Sequence, residues 1–263
     1  MAALATDGAG GAGKGAGDRH LTTQGPAARE RCATIRGSSG GGLSDLTPEV
    51  IARGLTYYVV LLFSLSFHES AHAWMAWKLG DDTAKNLGRV TLNPIPHIDP
   101  IGTVLFPLLQ IFAGALLLGW AKPTPYNPAN FRRDVTMRKG HMLVAAAGPG
   151  SNLLLGFAFA VALILFVRGG VIQTDHDFLY NILVMGVGLN VMLAVFNFIP
   201  IPPLDGSKVA SFGLPGDLGE RYDRVVGPYG FLILMLLLIS RAFSYIADPI
   251  QRFVFAVIQG FFP

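Results

Sequence analysis

Charged residues and cysteine are both scarce in this chain of 263 residues. Asp, Glu, Lys and Arg make up 14% of it, whereas a soluble domain has about 25%. The single cysteine, Cys32, excludes a disulfide framework within the chain and any metal site built from several cysteines. With 51% hydrophobic residues and a mean hydropathy of +0.47, most of the chain is too apolar to be disordered. The composition predicts an integral membrane protein.

The uncharged stretches are long enough for membrane helices, which need roughly 20 residues to cross a bilayer. Three of them occupy residues 101–120, 142–167 and 178–199. Residues 54–77 would form another but for one acid, Glu69, and residues 225–240 form a shorter one. A further stretch, residues 253–262, is too short to cross alone. We therefore expect an all-α membrane protein, a polytopic bundle of five to six transmembrane helices.

The N-terminal part of the chain differs in kind from the rest. Residues 1–46 are rich in Gly and Ala and contain no aromatic residue, which predicts a disordered extension. The remaining residues, 47–263, are expected to form one core domain. Its first helix should begin near Thr47, because threonine is a good N-cap, Pro48 suits the first helical position and Glu49 suits the first turn.

The most informative motif is His68-Glu69-Ser70-Ala71-His72, which lies inside an apolar segment. Residues four apart share one face of a helix, so the two imidazoles can reach a single metal ion. Glu69 is placed beside them to take a proton from a metal-bound water. An acid within a membrane costs at least about 2.5 kcal/mol and therefore points to function. The alternative is a polar pair that serves helix packing.

A catalytic zinc site needs a third protein ligand and an open position for water. Asp205 is the natural candidate, because it follows an apolar segment in the sequence FNFIPIPPLDG. Pro200, Pro202 and Pro203 cannot continue a helix, and irregular backbone at membrane depth is tolerated where it is packed in protein or lines a watery cavity. On its own, PPLDG could equally be an ordinary turn.

Five segments in order along the chain resemble the site-2 proteases, which are intramembrane zinc metalloproteases. These are HESAHAW, GRVTLNP, GWAKPTPYNP, AAAGPGSN and FNFIPIPPLDG, and they resemble a compact bacterial-type branch without a PDZ or CBS domain. The resemblance covers about residues 51–205. It implies one Zn²⁺ per chain, bound by His68, His72 and Asp205, with Glu69 as general base and acid.

The same resemblance implies roles for further residues. Asn197 would steady the scissile carbonyl or its oxyanion, although its amide could instead make a helix–helix hydrogen bond. Substrate binding would involve Lys122, Pro123 and Asn152, the last on a membrane helix packed beside the site. A small β-hairpin or strand region near the active site, formed by residues 87–92 and 120–126, would hold the substrate as an added strand.

These features predict a zinc-dependent intramembrane endopeptidase that cleaves single-span membrane proteins within the lipid bilayer, and no nucleic-acid partner. The alternative is a non-proteolytic membrane zinc-binding protein or a metal transporter, which would not need Glu69 as a base. We expect a multi-pass protein of a cell membrane of the bacterial inner-membrane type, with its active site toward the cytoplasm.

Three points remain open at this stage. The distribution of Lys and Arg favours a cytoplasmic N-terminus, whereas the resemblance places the end of the HExxH helix on the cytoplasmic side. Residues 101–120 either span the membrane or form a re-entrant segment. His97 and Asp99 could form an accessory metal site, although turn bonding is the more common use of such residues between prolines.

Overall fold

A computed structural model describes residues 47–113, 119–174 and 177–262. The predicted disordered extension, residues 1–46, lies outside the described residues. The described part is helical, as expected. Its helices are α1 (Pro48–Lys78), α2 (Thr83–Asn86), α3 (Phe106–Ala113), α4 (Met137–Arg168), α5 (Phe178–Asn197), α6 (Gly206–Gly213), α7 (Leu218–Val226), α8 (Gly230–Ile239) and α9 (Ala242–Gln259).

Helix α1 begins as the sequence predicts. Thr47 is its N-cap, with the hydroxyl oxygen accepting from the N–H of Val50, and Pro48 is the first helical residue. The helix runs for 31 residues without interruption. Since an α-helix rises 1.5 Å per residue, α1 is long enough to cross a bilayer and to carry His68 and His72 in its last third.

Four helices among the described residues are long and apolar enough to cross a membrane, against the five or six expected. They are α1, α4, α5 and the combined run Leu218–Ile239, in which α7 and α8 are joined by a short 3₁₀ turn. The last apolar stretch of the sequence belongs to α9, which also carries Asp248 and Arg252. The described residues thus contain fewer candidate spans than the count of uncharged stretches predicts.

The two described ends of the stretch at residues 101–120 lie together. A π-helical turn, Pro100–Leu105, leads into the short helix α3. The N–H of Trp120 donates to the carbonyl of Gly102 at 3.2 Å. The Thr103 hydroxyl also donates to the Trp120 carbonyl, at 2.8 Å. Because Trp120 is hydrogen-bonded to Gly102 and Thr103, residues 101–120 do not form one continuous helix across a membrane.

No strand occurs in the part of the chain that the structure describes, so the predicted β-hairpin is not confirmed. Residues 120–126 form neither helix nor strand. The N–H groups of alternate residues, Trp120, Lys122 and Thr124, are bonded to the protein, as in an extended chain. The bonds of Trp120 and Lys122 run to the loop that contains His97 and Gly102, and the contact with residues 87–92 comes from the Arg89 side chain and not from a backbone group. The N–H of Lys122, for example, donates to the carbonyl of His97 at 2.9 Å.

Helices α1, α4 and α5 pack against one another and form the scaffold of the site. Small residues allow the close approach: Gly186 of α5 faces the ring of Phe159 on α4, with no room for a side chain. Between α1 and α5, the buried amide of Asn190 donates to the Ser64 hydroxyl at 3.0 Å. Contacts of this kind are typical of helices that associate in a membrane.

Candidate metal centre

Two histidines of α1 face the same point in the protein interior. His68 and His72 lie one turn apart, and their Nε2 atoms are 3.0 Å from each other. Both residues are buried, with 5% and 7% of their surface exposed. The helical spacing therefore brings the two imidazoles together as the sequence predicts.

Asp205 completes the cluster from a distant part of the chain. It immediately precedes α6, after the proline-containing segment that ends α5. One carboxylate oxygen, Oδ2, lies 3.2 Å from Nε2 of His68 and 3.3 Å from Nε2 of His72. Together, His68, His72 and Asp205 form the kind of group that could hold a metal ion.

The outer nitrogens of both rings are held by α4. Nδ1 of His72 lies 2.7 Å from the carbonyl of Val144, which can only accept, so Nδ1 carries the proton and Nε2 presents a lone pair. Nδ1 of His68 lies 3.1 Å from the side-chain amide of Asn152. If Asn152 presents its oxygen there, His68 adopts the same tautomer as His72, because the O and N of an amide are interchangeable by a flip.

With both rings neutral and in this tautomer, lone pairs of two nitrogens and one oxygen lie within 3.3 Å of one another. Such an arrangement is repulsive unless a cation or proton lies between the atoms. Two imidazoles and one carboxylate are a ligand set that zinc takes in catalytic sites, with a fourth position left for water or substrate. The backbone carbonyl and the amide behind the rings are the orienting partners that metal-bound histidines usually have. The residues therefore fit zinc.

Gly148 of α4 gives the two rings their space. A Cβ at this position would lie 2.5 Å from Cε1 of His72 and 2.6 Å from Cε1 of His68. Any larger residue would push the rings or the helix apart. As the resemblance implies, Gly148 and Asn152 thus belong to a helix that packs directly beside the site.

Glu69 points to a different neighbour. Its Oε2 atom accepts from the backbone N–H of Thr124 and lies 2.9 Å from the Thr124 hydroxyl. Both residues are buried. Thr124 belongs to the extended segment 120–126, and sequence reasoning missed it. The sequence did contain one indication of this role. Thr124 stands between Pro123 and Pro125, so it is the one residue of the three with a backbone N–H to donate.

The other predicted site residues have varied surroundings. Lys122 and Pro123 are exposed on the extended segment, and Asn197 donates from Nδ2 to the carbonyl of Leu193 on its own helix, at 2.9 Å. The side chain of Asn152 contacts His68, which is one of the predicted metal ligands. These positions leave the proposed substrate and oxyanion roles as predictions.

His97 and Asp99 are used for bonding within the fold. Asp99 accepts from the N–H groups of Ile101 and Gly102 at the start of the π-helical turn. Nε2 of His97 lies 3.0 Å from the carbonyl of Thr91 and 3.3 Å from the Ser70 hydroxyl. The structure thus favours turn and loop bonding over an accessory metal site.

Fold and donor set together define a helical protein with four described helices long and apolar enough to cross a membrane, and with a His-His-Asp group suited to zinc. The chain is 37% identical to "Putative zinc metalloprotease YwhC" of Bacillus subtilis over 196 residues, which is 73% of this chain and 83% of that protein. It is 31% identical to "Putative zinc metalloprotease Rip2" of Mycolicibacterium smegmatis over 235 residues, covering 86% and 82% of the two chains.

A more distant relative is "Putative zinc metalloprotease MJ0611" of Methanocaldococcus jannaschii, which is 29% identical over 178 residues, 63% of this chain and 81% of that protein. No family model matches the chain, and no solved structure matches it. The extent of the similarity to these relatives shows the family: the chain belongs to the site-2 protease family of zinc metalloproteases.

Proposed function

We propose that this chain is a zinc-dependent endopeptidase that cleaves single-span membrane proteins within the bilayer. The observation that carries this proposal is the convergence of His68, His72 and Asp205, next to the buried acid Glu69, inside a bundle of membrane helices. We propose one zinc per chain, with these three residues as its ligands. When bound, zinc lowers the pKa of water in its open position to about 7 and polarises the scissile carbonyl.

Glu69 would carry out both proton transfers of the reaction. Oε2 of Glu69 is engaged by Thr124, which leaves Oε1 to accept a proton from the attacking water as the water oxygen bonds to the scissile carbon. When the carbon–nitrogen bond breaks, the same proton passes from Glu69 to the leaving amine. Asn197 is proposed as an amide donor to the developing oxyanion. That role requires its Nδ2 to leave the Leu193 carbonyl.

The extended segment 120–126 is proposed to seat the substrate. Successive residues of an extended chain direct their backbone groups to opposite sides. The N–H of Lys122 is used by His97, and its carbonyl accepts from the buried Arg89 guanidinium at 3.4 Å. The opposite edge carries Pro123 and Pro125, which offer carbonyls and no N–H. A substrate strand on that edge would be held mainly through its own N–H groups.

We propose that the active site opens toward the cytoplasm. Five basic residues lie in the segment that follows Trp120 and in the first turn of α4: Lys122, Arg132, Arg133, Arg138 and Lys139. An excess of Lys and Arg in short loops marks the cytoplasmic side of a membrane protein. Asp205 belongs to the same side because α6, which it precedes, is held by Arg138, whose guanidinium donates to carbonyls near the end of α6.

The decisive test is the exchange of Glu69 for Gln. Glu69→Gln keeps the size of the side chain and removes its basicity, so zinc should remain bound while cleavage falls by about 10²–10⁴. Candidate single-span proteins are co-expressed with the wild-type chain and with the variant, their cleavage products are compared, and zinc is measured in the purified proteins. Glu49→Gln is the matched control, because Glu49 is exposed in the first turn of the same helix.

The same test separates the protease from a metal transporter or a non-proteolytic zinc-binding protein. Those proteins would tolerate Glu69→Gln, since the carboxylate is not a ligand. Equal cleavage by the zinc-loaded variant and the wild-type chain would overturn the proposed mechanism.

A further inference from the structure

Among the described residues, Thr124 is the one whose hydrogen bonds hold the side chain of Glu69. Two of its donors, the backbone N–H and the hydroxyl, each lie 2.9 Å from the same carboxylate oxygen, Oε2. The hydroxyl is also 3.0 Å from the backbone carbonyl of Glu69. A single residue thus holds both the backbone and the carboxylate of the proposed base.

The segment that carries Thr124 is itself fixed to the protein on the side facing the site. Trp120 is bonded to Gly102, Lys122 is bonded to His97, and Thr124 is bonded to Glu69. These are alternate residues of one extended run, so they share one side of it. The outer side of the same run is the edge proposed for the substrate.

A long carboxylate side chain that is free to rotate spends little time in the orientation that proton transfer needs. Two hydrogen bonds to Oε2 hold the carboxylate in one orientation and direct Oε1 away from Thr124. A hydrogen bond to a charged group is stronger than one between neutral groups, so the loss of the hydroxyl should be measurable. The backbone N–H alone would leave the carboxylate free to swing about a single contact.

We infer that Thr124 is a positioning residue for Glu69, and that it joins the substrate-seating segment to the proposed base. This inference rests on the proposed protease function. Seating a substrate on the outer edge of residues 120–126 would restrain the same segment that orients Glu69. Neither the family resemblance nor the relatives' names assign a role to this residue.

The kinetic test compares two substitutions at Thr124. Thr124→Val removes the hydroxyl and keeps the N–H, and should lower kcat about 10-fold, with KM and zinc content unchanged because the side chain faces Glu69. Thr124→Ser keeps the hydroxyl and should restore most of the lost rate. The probe is a labelled single-span peptide taken from a protein that the wild-type chain cleaves and Glu69→Gln does not.

Thr103→Val is the matched control. Thr103 is also buried, and its hydroxyl donates to the carbonyl of Trp120, so it holds the same segment without a hydrogen bond to Glu69. This variant should lose stability and keep kcat. If Thr103→Val lowers kcat as much as Thr124→Val does, or if Thr124→Val has wild-type kcat, the positioning role is overturned.

A second measurement does not depend on activity. In protein labelled with ¹⁵N-threonine, the Thr124 amide is identified by its absence from the spectrum of Thr124→Val. Its hydrogen exchange should become about 10-fold faster in Glu69→Ala, because the amide loses its acceptor. An unchanged exchange rate would contradict the hydrogen bond even if the enzyme were inactive for another reason. Failure of the protease proposal would instead appear as equal cleavage by Glu69→Gln.

Discussion

Two aspartates of this molecule, Asp81 and Asp205, show how an acid whose oxygens are satisfied by donors differs from one proposed as a metal ligand. The carboxylate of Asp81 is fully buried and accepts four hydrogen bonds, from the N–H and hydroxyl of Thr83, the N–H of Asn127 and the amide of Asn130. Asp205 instead faces two imidazole nitrogens, and its side chain keeps 22% of its surface exposed.

The difference lies in what each carboxylate still lacks. Donors already satisfy the oxygens of Asp81, so that group has no need of a further cation. When both rings are neutral with the proton on Nδ1, the oxygen of Asp205 meets the lone pairs of His68 and His72, and this arrangement becomes favourable when a positive ion is shared among the three. Burial alone therefore does not identify a functional acid in this fold. The chemical type of its neighbours does.

The largest effect is expected at Asp205. Asp205→Ala removes one of three proposed ligands, so purified protein should lose most of its zinc, and cleavage should fall below detection. The bundle should stay folded, because α1, α4 and α5 pack without this side chain. Zinc is measured by elemental analysis and folding by circular dichroism. Full zinc occupancy in the variant would remove Asp205 from the site and erase the contrast with Asp81.

A second large effect, on zinc affinity, is expected when the space around the two imidazole rings is filled. Gly148→Ala places a Cβ 2.6 Å from Cε1 of His68, so the rings must move and the affinity for zinc should fall about 10–100-fold, as for loss of an orienting partner. Gly150→Ala is the matched control, since a Cβ there meets nothing within 4 Å. Competition with a chelator measures both variants. Equal zinc affinities of the two variants would show that α4 can move away from the rings without disturbing the metal centre.

Sequence reasoning named the three residues that the structure brings together in the candidate metal centre. The spacing of His68 and His72 follows from one helical turn, and Asp205 follows from the need for a third ligand beside a broken helix. Thr124 was missed because it is 55 positions from Glu69, and nothing in a helical period or a ligand count predicts a hydrogen bond over that distance.

The fold was predictable to a similar degree. Apolar length predicted the spans of α1, α4 and α5, since hydropathy and helix length are properties of one segment. It could not predict that the two ends of residues 101–120 lie together, because the hydrogen bonds of Trp120 with Gly102 and Thr103 belong to the tertiary structure and not to the composition of the segment. The extended segment lacks the strand partner expected from its sequence, since the His97 loop takes its backbone groups.

A smaller effect, on stability and not on zinc, is expected at Asp81. Asp81→Asn replaces one acceptor oxygen with an amide nitrogen, so one of the N–H donors loses its partner, and the free energy of unfolding should drop by about 3 kcal/mol. Unfolding by denaturant in detergent, followed by tryptophan fluorescence, gives this value. Asp82→Asn is the control, because that neighbour is exposed and its ion pair with Lys85 is a surface contact. If Asp81→Asn also lost zinc, Asp81 and Asp205 would no longer differ in their effect on the metal centre.

The smallest effect is expected in the pH dependence of the contribution that Asp81 makes to the free energy of unfolding. Burial acts to raise the pKa of Asp81, but hydrogen bonds from Thr83, Asn130 and the Asn127 N–H outweigh it and hold the pKa below the ordinary value of 3.8. A carboxyl whose pKa is lower in the folded than in the unfolded state stabilises the fold above the unfolded value, and that contribution is lost as pH falls through the folded value. The stability difference between wild type and Asp81→Asn should therefore be constant from about pH 7 to pH 5 and shrink below about pH 4. Denaturant unfolding repeated across this range measures the difference, and a gap that instead widened on acidification would mean that Asp81 is protonated in the folded protein.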